Sequence, residues 1–115
     1  MDIIGKGLLL LTAFLHVWFL ILEMFLWQKT LGLKTFRMSP EKAAATSVLA
    51  ANQGLYNGFL AAGLLFGLCT ANTTFQIFFL ACVIVAGLYG AYSVSRKIFF
   101  IQSLPAIIAL LFILL

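Results

Sequence analysis

Apolar residues fill four long segments of the chain, and short polar connections separate these segments. The segments run from about Ile4 to Gln28, from Ala43 to Leu68, from Phe75 to Ser95 and from Ile98 to Leu115. Each is close to the ~20 residues with which an α-helix crosses ~30 Å of hydrocarbon. The pattern therefore predicts four transmembrane helices in a single domain, residues 1–115, with nothing left over for a soluble domain.

The connection between the first two segments contains a helix-start signal. Ser39 is a favoured N-cap residue, Pro40 suits the first helical position, and Glu41 suits the first turn. The second connection, residues 69–74, is short and polar, and the third is very tight. These signals predict where the second, third and fourth helices begin.

The composition excludes a water-soluble domain. Hydrophobic residues make up 64% of the chain and charged residues only 9%, whereas a soluble domain carries roughly 25% charged residues. Because so few charges cannot cover a soluble surface, lipid must be the solvent. The predicted fold class is an all-α integral membrane protein, a bundle of four transmembrane helices.

The basic residues predict the orientation of the bundle. With four crossings, Lys6 falls on one side of the membrane, and the other basic residues fall together on the opposite side: Lys29, Lys34, Arg37, Lys42, Arg96 and Lys97. By the positive-inside rule, the two basic loops are cytoplasmic and both termini lie outside. The net charge of +4 is thus explained by the flanks of membrane helices, and we expect no nucleic-acid partner.

Polar residues form a stripe on the first predicted helix. At about 100° per residue, Thr12, His16, Glu23 and Trp27 fall within an arc of about 60°. A charge in mid-membrane costs about 2.5–3.5 kcal/mol or more, so this stripe must face other helices or water. Glu23 is a candidate functional group that could exchange a proton. His16 is either part of the same site or a packing histidine.

The second predicted helix has a polar arc of about 140°. Its members are Asn52, Gln53, Tyr56 and Asn57. Gly54 and Gly58 lie beside this arc and predict a groove where a neighbouring helix packs closely. The amides either line a cavity or act only as hydrogen bonds between helices.

Polar groups on all four segments fall at similar depths. Counted from the cytoplasmic ends at about 1.5 Å per residue, Glu23 and Gln102 lie about 7 Å deep, Tyr92 about 5 Å and Tyr89 about 10 Å. Asn52 and Gln53 lie about 14 Å deep, with His16 and Asn57 nearer the midplane. This clustering predicts a polar cavity that opens to the cytoplasm. Gly87 and Gly90 are predicted helix-packing positions, and Pro105 predicts a kink that frees a carbonyl.

Several of these positions together carry a family resemblance. They are His16, Glu23 and Trp27, the run Asn52-Gln53-Gly54-Leu55-Tyr56-Asn57-Gly58, Gly87-x-x-Gly90, and Gln102-x-x-Pro105-Ala106. Together they resemble the small bacterial four-helix integral membrane proteins grouped as domain of unknown function 1304. The resemblance covers essentially the whole chain and implies a multi-pass protein of the bacterial cytoplasmic (inner) membrane. It implies no reaction.

Three functions are consistent with the sequence. The first is binding or transport of a small molecule or ion, proton-linked through Glu23. The second is an intramembrane enzyme with a lipid or quinone-like substrate, which would use Glu23 or His16 as general acid or base. The third is a structural or partner subunit. We favour the first, because no nucleophile–base pair or nucleotide motif is present. We expect no cofactor and no metal. The expected partners are the lipid bilayer, a small-molecule ligand and, as an alternative to a monomer, a second copy in a homodimer.

Overall fold

The structure is a computed structural model, and it describes residues 3–115. All regular secondary structure in this range is helical. The elements are α1 (Ile3–Met24), α2 (Thr30–Phe36), α3 (Pro40–Cys69), α4 (Thr73–Ser93), a π-helical turn (Phe99–Ser103) and α5 (Leu104–Leu114). The chain is therefore all-α, as the apolar pattern predicted.

Two of these helices are long and apolar enough to cross a membrane, namely α1 and α4. The π-helical turn and α5 form a shorter apolar stretch, Phe99–Leu114. Helix α3 has 30 residues, which corresponds to about 45 Å. Its length exceeds the hydrocarbon thickness, but its polar side chains lower its mean hydropathy.

Helix α1 ends at Met24, short of the predicted Gln28. The backbone N–H groups of Phe25 and Leu26 both bond to the carbonyl of Ile21, at 3.0 and 3.1 Å, which closes the helix. The following residues turn and then form α2. A helix of seven residues is too short to produce a recognisable apolar period, so the sequence pattern showed only a loop there.

Side-chain caps fix the starts of α3 and α4. Ser39 Oγ accepts the backbone N–H of Lys42 at 3.1 Å, the contact expected of an N-cap residue. At the start of α4, Asn72 Oδ1 accepts the backbone N–H of Phe75 at 3.0 Å. Both bonds satisfy N–H groups that have no partner within their helix.

The chain divides into two compact units, described separately. One unit is His16–Phe59, which contains the end of α1, all of α2 and the first part of α3. The other unit comprises the residues up to Leu15 and Leu60–Leu115. The core of that second unit is made of small and branched apolar side chains: Leu9, Ala13, Leu64, Leu80, Val83, Ala106 and Ala109.

A kink was predicted at Pro105, and the structure has a π-helical turn just before this residue. Pro105 is near the start of α5, and the π-helical turn precedes it. Proline lacks the N–H that would continue an α-helical ladder, so the preceding turn takes a wider hydrogen-bonding pattern. In the turn, Ser103 Oγ donates to the carbonyl of Ile84 on α4 at 2.9 Å. Gly87 allows this approach, because a Cβ there would lie 2.9 Å from the Ser103 nitrogen.

Candidate functional site

The carboxyl group of Glu23 is the centre of the candidate site. Glu23 lies on the last turn of α1 and is only 5% exposed. Asn57 Nδ2 donates to Glu23 Oε1 at 2.5 Å, and Gln53 Nε2 donates to Glu23 Oε2 at 2.7 Å. Each carboxyl oxygen therefore accepts one amide N–H and retains a lone pair for a further donor.

Both amides come from one face of α3. Gln53 and Asn57 are four residues apart, and residues at this spacing are neighbours on a helix surface. Asn57 is buried, 8% exposed, whereas Gln53 lies at the exposed edge of the contact. Asn57 therefore bonds to the carboxyl group in the interior of the protein, and Gln53 bonds to it near the surface.

Two glycines on α3 allow the helices to approach closely at this carboxyl. A Cβ at Gly54 would lie 2.7 Å from Met24 Cγ and 3.0 Å from Glu23 Cβ, and a Cβ at Gly58 would meet the Leu20 side chain. Gly54 thus lies beside the end of α1, and Gly58 lies beside Leu20, one turn earlier on α1. Because residue numbers rise along α3 as they fall along α1, the two helices run antiparallel here. Since Asn57 has a short side chain, it reaches the carboxyl only because the helices are this close.

The other half of the predicted polar arc faces away from the carboxyl. Asn52 is exposed, and its Nδ2 donates to the carbonyl of Val48 on its own helix at 2.9 Å. Tyr56 is 59% exposed, and its ring centroid lies 6.0 Å from that of Phe59. Of the four polar residues predicted on α3, the structure therefore bonds two to Glu23 and directs two elsewhere.

The carboxyl group of Glu23 forms hydrogen bonds but no ion pair in the described part of the chain. Within residues 3–115, the partners of the carboxyl group are the two amides, and no lysine or arginine forms an ion pair with it. In the same range, no three His, Cys, Asp or Glu side chains come together as metal ligands. The site is thus an isolated carboxyl with amide donors, suited to a cation or to a hydrogen-bond donor.

A pocket of about 350 Å³ opens beside this carboxyl. Its volume is at the lower end of the ~300–1,000 Å³ that is typical of small-molecule sites. Its lining combines polar and apolar side chains of the His16–Phe59 unit: Glu23, Met24, Phe25, Trp27, Gln28, Lys29 and Ser47. Glu23 therefore borders a space large enough for a small ligand, although most of its own surface is covered.

One wall of this pocket is held in place by a side-chain hydrogen bond. Trp27 Nε1 donates to Thr46 Oγ1 at 3.1 Å, and Thr46 Oγ1 in turn donates to the carbonyl of Lys42 at 2.8 Å. The Trp27 ring also packs against Phe36 of α2, with ring centroids 4.8 Å apart. The pocket wall at Trp27 is thus fixed by both α2 and α3.

His16 is fully buried on α1, with its ring edge towards Phe19 at a centroid distance of 5.3 Å. It precedes Glu23 by seven positions, which is about 10 Å along the helix. The two side chains are therefore too far apart for a direct hydrogen bond, and a proton relay between them would require an intervening group.

Three predicted site residues belong to the Leu60–Leu115 unit. Tyr89 and Tyr92 are exposed, 69% and 89%, and their ring centroids are 6.4 Å apart. Gln102 is half-buried in the π-helical turn. In the same unit, Gly90 lies against Ile98, as a Cβ there would be 2.8 Å from Ile98 Cγ2. The assignment of Tyr89, Tyr92 and Gln102 to the predicted cavity stays a prediction.

The Leu60–Leu115 unit, with the start of α1, has a pocket of its own, of about 420 Å³. Its lining is Lys6, Leu10, Leu68, Ala71, Thr73 and Gln76. Buried Gln76 donates through Nε2 to the carbonyl of Gly67 at 2.9 Å, so its amide ties α4 to the end of α3. The ionisable group of this pocket, Lys6, is exposed. We therefore consider the pocket at the buried carboxyl of Glu23 the better candidate site.

Comparison with known proteins identifies the family. A family model described as "Protein of unknown function (DUF1304)" matches residues 10–114. The chain belongs to this family. It is also 31% identical over 115 residues to the "Uncharacterized protein YpaA" of Lactococcus lactis subsp. lactis (strain IL1403), covering 96% of this chain and 97% of that protein. No solved structure matches the chain.

Sequence reasoning missed several pocket residues of this DUF1304 member. Met24, Phe25, Gln28, Lys29 and Ser47 line the pocket but were not among the predicted cavity residues. Met24, Phe25 and Gln28 follow Glu23 within the segment predicted to remain helical up to Gln28, and Lys29 comes directly after that segment. Because α1 ends at Met24, this segment turns beside the carboxyl. The signal available in the sequence was the position of Trp27, four residues after Glu23 and in the same arc.

Proposed function

We propose that this DUF1304 protein is a multi-pass protein of the bacterial cytoplasmic membrane that binds or transports a small polar molecule or ion at Glu23. In this proposal the chain crosses the membrane four times, through α1, α3, α4 and the stretch Phe99–Leu114. Both termini are outside, and the pocket beside Glu23 opens to the cytoplasm.

Length, composition and charge support the membrane part of the proposal. α1 and α4 are apolar over the required length, and α3 is longer than a single crossing needs. Lys29 lines the pocket and Lys34 lies in the neighbouring α2. Basic residues beside a membrane helix favour its cytoplasmic end, so the pocket opens on that side.

The single observation that carries the functional proposal is the arrangement around Glu23. A carboxyl used only as a link between helices would be enclosed by its partners. Here the carboxyl accepts one amide on each oxygen, and Glu23 is also one of the residues that line an open pocket. An ionisable side chain within a membrane helix is a functional site by default, since its burial is costly. The amides position the carboxyl, and the pocket admits the ligand that it binds.

The experiment compares Glu23→Gln with Glu41→Gln. Glu41 is exposed in the first turn of α3, so its substitution removes the same charge from a site without the pocket. Each variant is purified from native membranes, and the small molecules and lipids that remain bound are identified by native mass spectrometry. Reconstituted vesicles containing a pH-sensitive dye then report whether the retained molecule moves together with protons.

We expect a retained molecule in the wild type and in Glu41→Gln, and its loss in Glu23→Gln. Proton-linked uptake that disappears only in Glu23→Gln would indicate transport, whereas retention without flux would indicate binding alone. Identical bound molecules in all three proteins, with no flux in any, would contradict the proposal and leave the structural subunit as the better explanation.

A further inference from the structure

The pocket beside Glu23 is lined by both an acidic and a basic side chain. Glu23 contributes a carboxyl and Lys29 an ammonium group, and both residues line the same cavity of about 350 Å³. Within residues 3–115, neither side chain forms an ion pair. The acidic and the basic group are therefore not neutralised by each other or by another side chain of the described residues.

The side chains that line the pocket include both hydrogen-bond acceptors and hydrogen-bond donors. Each Glu23 oxygen has a lone pair left after accepting one amide, which suits the N–H groups of an ammonium ion. Lys29 and Gln28 follow one another along the chain and supply N–H donors, which suit an acceptor-rich anion. A metal ion or an inorganic anion would complement only one of these two kinds of group.

We infer that the pocket binds an aminoalkyl phosphate, with the ammonium group at Glu23 and the phosphate group beside Lys29. This inference rests on the proposed binding site and names its ligand class. The lower-end volume of the pocket suits a group of this size rather than a large substrate. The same chemistry occurs in a free solute and in the headgroup of an aminophospholipid, and exposed Phe25 in the lining offers an apolar surface for an attached chain.

The test uses the fluorescence of Trp27, which lines the pocket. The chain has two tryptophans, so Trp18→Phe leaves Trp27 as the single reporter in the full-length protein. Three probes are titrated: ethanolamine, inorganic phosphate and O-phosphoethanolamine. We expect O-phosphoethanolamine to bind at least tenfold more tightly than either half, because only it satisfies both charges.

Lys29→Ala and Lys34→Ala form the matched pair of variants. Both lysines are exposed, so both variants should fold, but only Lys29 lines the pocket. We expect Lys29→Ala to lower the affinity for O-phosphoethanolamine to that for ethanolamine, and Lys34→Ala to change it less than twofold. In the Glu23→Gln variant, the preference should reverse towards inorganic phosphate.

The lipid source is tested in nanodiscs that contain equal amounts of phosphatidylethanolamine and phosphatidylglycerol. Native mass spectrometry that shows selective retention of phosphatidylethanolamine, lost in Lys29→Ala, would identify the headgroup as the source. Binding of free O-phosphoethanolamine without lipid selection would identify a solute.

Two results would overturn the inference. Equal, Glu23-dependent binding of ethanolamine and O-phosphoethanolamine would refute the aminoalkyl phosphate and keep the proposed binding site. Absence of both O-phosphoethanolamine binding and phosphatidylethanolamine selection would also refute it, whereas the proposed binding site itself is tested independently by the molecules that copurify with the wild type and are lost in Glu23→Gln.

Discussion

Asn57→Ala should destabilise the protein far more than Asn52→Ala. The two substitutions remove the same side chain from positions five residues apart on α3. Asn57 is buried and donates to Glu23 across two helices at 2.5 Å. Asn52 is exposed, and its amide bonds only to Val48 within its own helix. The pair therefore separates the contact between helices from the general effect of removing an asparagine.

The structure indicates the size of the difference. Hydrogen bonds between membrane helices contribute about 0.6 kcal/mol on average and up to about 1.7 kcal/mol. The Asn57 bond should lie near the upper limit, because its acceptor is a carboxyl oxygen that is almost fully buried. We expect Asn57→Ala to lower the free energy of unfolding by about 1.5 kcal/mol, roughly tenfold in the equilibrium constant. Asn52→Ala should change it by less than about 0.5 kcal/mol.

The assay is reversible unfolding in mixed micelles with increasing sodium dodecyl sulfate, followed by circular dichroism. A double-mutant cycle with Glu23→Gln isolates the pairwise contribution. If the bond acts as described, the coupling energy between Glu23 and Asn57 should be about 1 kcal/mol, and that between Glu23 and Asn52 should be close to zero. Equal costs for the two asparagine substitutions, or no coupling between Glu23 and Asn57, would refute the assignment of Asn57 to the carboxyl.

Two further pairs of substitutions, each a test variant with its control, probe the packing. Gly54→Ala should lower the unfolding free energy by about 1–3 kcal/mol, since the new Cβ would lie 2.7 Å from Met24 Cγ. A Cβ at Gly7 would have no atom within 4 Å, so Gly7→Ala should be neutral or stabilising by up to about 1 kcal/mol in the same assay. Ser103→Ala should lower the free energy of unfolding by about 0.5–1.5 kcal/mol, because it removes the hydrogen bond from the buried Ser103 to α4. Ser93 is exposed and bonds within its own helix, so Ser93→Ala should have little effect on the free energy of unfolding. A comparable loss of unfolding free energy at both serines would contradict this reasoning.

The helical class and the family were accessible from the sequence, because both depend on properties that are local along the chain. Long apolar segments require helices in lipid, whatever the tertiary arrangement. The cap at Ser39 is similarly local, because its hydroxyl bonds to an N–H three residues away. The family resemblance depended only on the order of residues in short motifs, among them the run from Asn52 to Gly58. The match of the family model over residues 10–114 agrees with that resemblance.

The end of α1 and the presence of α2 were not predictable from the apolar pattern. Phe25, Leu26 and Trp27 continue the apolar run, so the pattern placed the end of the helix at Gln28. In the structure α1 ends at Met24, and Gly32 of α2 packs against the backbone carbonyls of Leu26 and Trp27. This contact joins residues that are not neighbours on any single helix, and apolar periodicity contains no information about it.

Residue types and their helical spacing were enough to predict that a carboxyl and several amides lie within apolar helices, because both can be read directly along the chain. Which of the amides bond to Glu23 became evident from the packing of α3 against α1. A helix directs an arc of about 140° towards more than one neighbour, and the close approach at Gly54 turns Gln53 and Asn57 towards α1 while Asn52 and Tyr56 face outwards. The partner of a side chain depends on where a second helix lies, and that position results from packing rather than from local sequence.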